Sequence, residues 1–305
     1  MRYRELFHTG SLARLRQRLF ERLRSCDLCP RACGIDRVKG DKGFCNTGRY
    51  AVVDGSYLHY EEEAELVGTG GSGTIFFSYC NLGCCYCQNY TLSHSGEGTV
   101  CSAQALADRM LALQAQGAEN INLVTPTHVV AQIVEALLIA IPAGLHLPLV
   151  YNSGGYDDVS TLKLLKGIFD IYMPDIKYSD NAQALKFSRA PDYWEIVRPA
   201  VREMHDQVGA LVCTHGRATT GVLIRHLVLP HDLAGSQEVF TFIKENLPVQ
   251  TYVNIMDQYY PCFRARDHEE LSRRLLPEEY RAAVRMAENA GLKGARITRS
   301  HDERN

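Results

Sequence analysis

The chain has 305 residues, 46% of them hydrophobic and 22% charged, with 35 acids against 33 bases. This is the profile of a globular protein that buries roughly three-quarters of its unfolded surface in one large or two ordinary domains. A net charge of -2 argues against a nucleic-acid binder driven by bulk charge. The apolar run 131–141 is interrupted by Gln132 and Glu135 and falls short of the about 20 residues a membrane span needs. Met1-Arg2-Tyr3-Arg4-Glu5 carries no apolar secretion core, so the expectation is a cytoplasmic protein.

In chain order, residues 1–25 are locally basic, and Leu12, Leu15, Leu19 and Leu23 at helical spacing predict an amphipathic helix docked on the body. Residues 26–67 open with Cys26, Cys29, Cys33 and Cys45 among glycine, proline and alternating charge, a composition that needs a metal to hold a shape. Glu61-Glu62-Glu63 reads as a solvated run. Residues 68–73 are glycine-rich but lack the Lys-Ser/Thr of a phosphate loop, and read as a flexible lead-in to the next element.

A core over 68–262 then alternates strands and helices. Strands are predicted at 74–79, 121–124, 147–151, 168–173, 222–229 and 251–256. Helices are predicted at 102–116 with Ser102 as N-cap, 129–139, 158–165, in stretches up to about 207, and at 235–246. Residues 263–305 form a C-terminal helical extension with a helix at 277–290. Short apolar strands between helices imply an α/β fold with a parallel sheet covered on both faces, doubly wound or a partial (β/α)6-type barrel. In a barrel the reactive groups gather at the C-terminal strand ends. Those ends carry Cys80, Thr125, Asn152, Asp175 with Lys177, and Asp257 with Gln258, while Arg225 lies inside the fifth strand. They suggest one site.

Eleven cysteines, seven of them in two clusters, point to metal or redox chemistry rather than a disulfide framework. Cys80, Cys84 and Cys87 follow CxxxCxxC directly after the first core strand. Three thiolates on one tight loop can hold three irons of a cubane and leave the fourth open. Structural zinc wants four ligands, and Cys85 faces the wrong way to be the fourth. Cys26, Cys29, Cys33 and Cys45 follow CxxCx₃Cx₁₁C and fit a structural zinc or a complete four-iron cluster. Cys101, Cys213 and Cys262 read as buried apolar residues, with Cys262 nearest the strand ends. His226 and His231 read as structural.

The loop resembles the CxxxCxΦC signature of radical S-adenosylmethionine (SAM) enzymes, Φ being aromatic, through Cys80, Cys84, Tyr86 and Cys87. A closer likeness is to an uncharacterised iron–sulfur branch related to pyruvate formate-lyase activating enzyme. It is carried by Gly73-Thr-Ile-Phe-Phe77, Asn122-Leu-Val-Thr-Pro-Thr-His128, Tyr151-Asn-Ser-Gly-Gly-Tyr156, Met173-Pro-Asp-Ile-Lys177 and Arg225-His-Leu-Val-Leu-Pro230. The N-terminal cysteines resemble the CxxCPxxC…GxxGxC segment of that branch.

The resemblance implies an oxygen-sensitive enzyme with a catalytic [4Fe-4S] cluster on Cys80, Cys84 and Cys87. SAM would be cleaved reductively to methionine and a 5′-deoxyadenosyl radical that abstracts hydrogen. Lys177 or Arg225 would meet the SAM carboxylate, and Asp175-Ile176-Lys177 resembles the DxK motif of activating enzymes. Asn152 and Ser153 would meet the ribose, and Tyr86 and Gln258 the adenine. The usual Gly-Gly-Glu after the second strand is replaced by Thr125-Pro126-Thr127-His128, which leaves Thr125 or His128 for the amino group; the aspartate expected after the third strand is Asn152. The resemblance further implies a low-potential donor, flavodoxin or ferredoxin, and a protein or peptide substrate such as the glycine of a glycyl-radical enzyme. The alternatives are a small molecule or nucleotide as substrate, or a non-catalytic electron-transfer or scaffold protein. The N-terminal metal, zinc or iron–sulfur, would be structural in the first case and a relay or substrate site in the second.

Overall fold

The computed structural model describes residues 1–298. Its strands are β1 (Ala51–His59), β2 (Ser72–Phe77), β3 (Thr99–Cys101), β4 (Ile121–Val124), β5 (Leu149–Ser153), β6 (Ile171–Pro174), β7 (Val212–Thr214), β8 (Arg217–Leu227), β9 (Tyr252–Met256) and β10 (Ala295–Thr298). They form one sheet in the order β10-β9-β8-β6-β5-β4-β2-β1-β3, with β7 paired to β8 as a hairpin. From β2 round to β10 every neighbouring pair along this path is parallel. β1 runs antiparallel to β2, and β3 antiparallel to β1. Among the described residues β3 and β10 do not pair, so the curved α/β sheet stays an open, partial barrel.

The crossovers are helices whose starts are written locally. The Ser102 hydroxyl accepts the Ala105 N–H at 3.1 Å and opens Ala103–Ala115. Asp158 accepts the Thr161 N–H at 2.8 Å and opens Val159–Leu164, the exposed N–H groups of a first turn being satisfied by a short polar side chain. Val130–Ala140 is apolar nearly all round because it lies between the sheet and the N-terminal helix Ser11–Leu23. Leu12, Leu15, Leu19 and Leu23 are all buried, and Glu135 on the partner helix accepts from Arg16 and, at 2.9 Å, from Arg49.

Several expectations are corrected. The N-terminal segment is two helices, Arg2–His8 and Ser11–Leu23, because Gly10 takes a left-handed φ of 69° between them. β1 lies in the cysteine-rich segment 26–67, where no strand is predicted; its Asp54-Gly55-Ser56 centre has little strand preference, and pairing with β2 holds it extended across a register shift between Val53 and Gly55. β10 adds a further parallel strand inside the predicted helical extension. The glycine run before β2 is packed rather than loose. A Cβ on Gly70 would lie 2.0 Å from the Gly117 carbonyl and one on Gly73 2.6 Å from that of Asn120, while Glu119 accepts the Thr69 and Gly70 N–H groups at 3.2 and 3.1 Å. Among the described residues no helix is long and apolar enough to cross a membrane.

Candidate active site

The C-terminal ends of the parallel strands open into one pocket of about 720 Å³. Cys80, Cys84, Tyr86 and Cys87 come from the loop after β2, Thr125 from the end of β4, and Asn152 and Ser153 from the end of β5. Asp175 and Lys177 follow β6, Arg225 comes from β8, and Gln258 follows β9. A parallel sheet brings these ends together whatever their separation in sequence.

Each of the three pocket thiols already receives a hydrogen bond. The Leu82 N–H donates to Cys80 Sγ at 3.3 Å, Ser188 Oγ to Cys84 Sγ at 3.0 Å, and Ser93 Oγ to Cys87 Sγ at 3.2 Å. Burial pushes all three thiols up, and the Lys177 charge pulls against it. A thiolate here therefore calls for a cationic partner, which iron would supply. Three hydrogen-bonded sulfurs lining one open pocket fit a [4Fe-4S] cluster with one iron left free of protein ligands. Cys85 is not part of this pocket lining, and its N–H is held by the Phe187 carbonyl at 2.7 Å.

Beside the thiols, Lys177 Nζ donates to Asp175 Oδ2 at 2.5 Å, both side chains being largely buried. Burial alone would lower the Lys177 pKa, but the Asp175 carboxylate outweighs it and holds the ammonium charged. The Thr125 hydroxyl and the Asn152 amide have no hydrogen-bond partner among the described residues, and Thr125 sits at a φ of 62°. The Ser153 hydroxyl is taken by Asp157 at 2.7 Å, together with Tyr151 and Thr127 on the same carboxylate. Tyr86 lines the pocket edge-on to Tyr178 and Tyr259, and its hydroxyl accepts from Tyr178 at 2.7 Å.

Three expectations need correcting here. His128 does not reach this pocket; it is buried on the far side of its loop, with Nε2 3.0 Å from the Ser78 carbonyl, and lines the cavity of the N-terminal cysteines. Glu62 and Glu63 are not a solvated run. Arg225 Nε and Nη2 donate to Glu63 at 2.8 and 2.5 Å, Nη2 also meets Glu62, and Asn254 Nδ2 donates to Glu63 at 2.7 Å. Burial would raise the Glu63 carboxyl; the Arg225 charge and these hydrogen bonds overcome it and hold it near 2. Glu62, Glu63 and Asn254 are pocket residues that sequence reasoning missed, because about 160 residues separate the glutamates from Arg225. Among the remaining cysteines, Cys101 is buried as expected; Cys213, read as buried, is instead exposed on the short outer strand β7; and Cys262 donates to the Tyr86 carbonyl at 3.3 Å. His226 is structural: its ring bridges the Ile176 carbonyl and the Ser236 hydroxyl.

The N-terminal cysteines lie apart from this pocket. Cys26, Cys29, Cys33 and Cys45 line one cavity with Arg31, Arg37 and His128. A hairpin pairs the Cys26 N–H with Ile35 and the Gly34 N–H with Cys26, and Gly43 packs so closely on Cys33 that a Cβ would lie 2.7 Å from its sulfur.

No protein-family model matches the chain. An uncharacterised protein of Methanocaldococcus jannaschii is 29% identical over 278 residues, covering 88% of this chain and 76% of its own length. Among solved structures, a radical SAM methyltransferase from Sphaerobacter thermophilus is similar at a TM-score of 0.52 and 14% identity, over 76% of this chain and 68% of that one. A structure of anSMEcpe with bound AdoMet aligns at a TM-score of 0.47 and 12% identity, over 70% of this chain and 57% of that one. The chain shares the open, partial α/β barrel fold of that methyltransferase.

Proposed function

We propose that this protein is a radical SAM enzyme of the branch related to pyruvate formate-lyase activating enzyme. The observation that carries the reading is the Cys80, Cys84 and Cys87 triad, each sulfur hydrogen-bonded, lining the pocket at the strand ends of a radical SAM-type barrel. A [4Fe-4S] cluster held there would supply the electron that cleaves SAM into methionine and a 5′-deoxyadenosyl radical, which takes a hydrogen atom from the substrate.

The chain's own residues bind and orient SAM. Arg225 is committed to Glu62 and Glu63, so the carboxylate of SAM falls to Lys177, whose ammonium Asp175 keeps charged and aimed into the pocket. The Thr125 hydroxyl takes the place of the missing acidic motif near the amino group. With Ser153 engaged by Asp157, the ribose hydroxyls fall to Asn152. Tyr86 and Gln258 wall the adenine side. The protein or peptide substrate in this reading rests on the resemblance to activating enzymes, as does a flavodoxin or ferredoxin donor.

The test is anaerobically reconstituted protein, reduced with dithionite and incubated with SAM, with nucleoside products identified by mass. 5′-Deoxyadenosine from wild type and none from Cys84→Ala is the expected result. Intact SAM with a fully loaded, reducible cluster would overturn the reading.

A further inference from the structure

We infer that the β1 side of the pocket binds a positively charged substrate group, a primary ammonium or a guanidinium. The pocket is lined by the carboxylates of Asp54, Glu61, Glu62, Glu63, Glu97 and Asp175 against the cations Lys177 and Arg225. Asp175 holds Lys177, and Glu62 and Glu63 hold Arg225. Among the described residues no cation pairs with Asp54, Glu61 or Glu97, and all three are exposed on the pocket wall. Asp54 lies on β1, Glu61 follows it, and Glu97 precedes β3. Gly98 seats Glu97 beside Asp54, since a Cβ there would lie 2.8 Å from the Asp54 nitrogen. In the strand order these acids stand on the side of β2 away from Asn152, Asp175 and Lys177, the groups given to SAM above. Like charges on one wall of a concave site focus a negative potential that draws a cation in.

The same wall carries an aromatic platform. Tyr57 and His59, two residues apart on β1, share a face, and Phe76 lies beside them on β2. Tyr57 and Phe76 stack with centroids 5.3 Å apart, and His59 stands edge-on to both at 6.1 and 6.3 Å. The Tyr57 side chain is 48% exposed. Burial, then the charges of Asp54 and Glu61, push its hydroxyl up, so both carboxylates act at the ring. A π face beside carboxylates attracts an ammonium or guanidinium twice over, by ring quadrupole and by charge.

Beneath the platform, Tyr57 pairs with Thr74 and Thr74 with Asn122 in one row across three strands. Asn122 shares its face of β4 with the pocket residue Val124, is fully buried, and has neither amide atom hydrogen-bonded among the described residues. A buried amide left open calls for a polar partner, and the pocket is the route by which one enters. Unpaired carboxylates, a π face and an open amide together select a cation with N–H donors over an anion or an apolar group. That this cation belongs to the substrate rests on the function proposed above. A small amine and the lysine or arginine side chain of a peptide present the same group.

The test is equilibrium dialysis of the reconstituted protein, with and without SAM, against capped Gly-Gly-Lys-Gly-Gly, the same peptide with norleucine or glutamate in place of lysine, and agmatine. It is repeated on the variant Asp54→Asn with Glu61→Gln and Glu97→Gln. Expected is about tenfold or greater preference for the lysine over the norleucine peptide, lost in the variant, as for removal of charged hydrogen bonds. The glutamate peptide should bind weakest, and the preference should shrink as salt is raised. Agmatine binding tighter than the lysine peptide would support a small amine as the source, and the reverse a peptide side chain. Equal binding of the lysine and norleucine peptides, with no binding of agmatine, would overturn the inference. So would a variant that loses SAM and cation binding by the same factor, since the acids would then serve the sulfonium of SAM. Should the variant fail to fold, the comparison of peptides on wild type decides alone. 5′-Deoxyadenosine is assayed on the same wild-type samples after dithionite reduction. Its absence with the cation preference intact sinks the radical reading and leaves this site standing; its formation without a cation preference sinks this site alone.

Discussion

Replacing Glu63 by alanine tests the buried ion-pair network directly. The Glu63 carboxylate receives the fork of Arg225 at 2.8 and 2.5 Å and Asn254 at 2.7 Å, and its side chain is 4% exposed against 16% for Arg225. Breaking a buried pair costs about 3–5 kcal/mol because a charge is left in a low-dielectric site. Glu62 stays on the same guanidinium, so the loss should fall near the lower end, about 3 kcal/mol. With an m-value of about 3 kcal/mol/M for a chain of this size, the urea midpoint drops by about 1 M. Glu61→Ala, at an exposed position, should stay within about 0.5 kcal/mol of wild type. Both variants are compared with wild type at matched iron content, so that cluster loss does not masquerade as a broken ion pair. Glu63 sits near 2 in the folded protein against about 4.3 in the unfolded chain. Its contribution is therefore whole above that unfolded value and fades as pH falls toward 2. Equal midpoints for Glu61→Ala and Glu63→Ala at pH 7 would refute the argument.

Three further outcomes follow from the same geometry. Burial outweighs the hydrogen bond from the Leu149 N–H and the charges of the N-terminus and Arg2, lifting the Asp170 carboxyl to about 6. The native state then binds more protons than the unfolded chain between about 4 and 6, so stability falls as pH rises through that window. Asp170→Asn should gain about 2–3 kcal/mol over wild type at pH 7.5 and nearly nothing at pH 4, by urea unfolding. Lys177→Met, which removes the cation facing the thiol loop, should weaken SAM binding about 10- to 100-fold in equilibrium dialysis, as expected for loss of a charged hydrogen bond. Ser188→Ala removes the donor 3.0 Å from Cys84 Sγ. Such bonds favour the more negative reduced cluster, so its potential should become more negative in a redox-poised spectroscopic titration.

The resemblance to radical SAM enzymes was legible because its ligands are neighbours in sequence. Cys80, Cys84 and Cys87 are placed by one short loop, and the strand before it is marked by an unbroken apolar run. The positions of Asn152, Asp175 and Lys177 were likewise readable, since in a parallel barrel the residue after each strand has only one end of the sheet to occupy. Ser102 and Asp158 announced their helices because an N-cap is a contact over three residues.

What depends on distant segments was settled only by tertiary structure. β1 is extended because β2 is there to pair with it. Glu62 and Glu63 are pocket residues because that hairpin turns them back onto Arg225 and Asn254. His128, three positions past the pocket residue Thr125, faces the other way, where the N-terminal cysteines enclose their own cavity. The sequence by itself determined which side chains can bind iron, since that is a matter of chemistry and short-range spacing. Which charges are already neutralised, and which cysteine loop touches which, was decided by packing, because a buried charge takes its meaning from whatever the fold sets beside it.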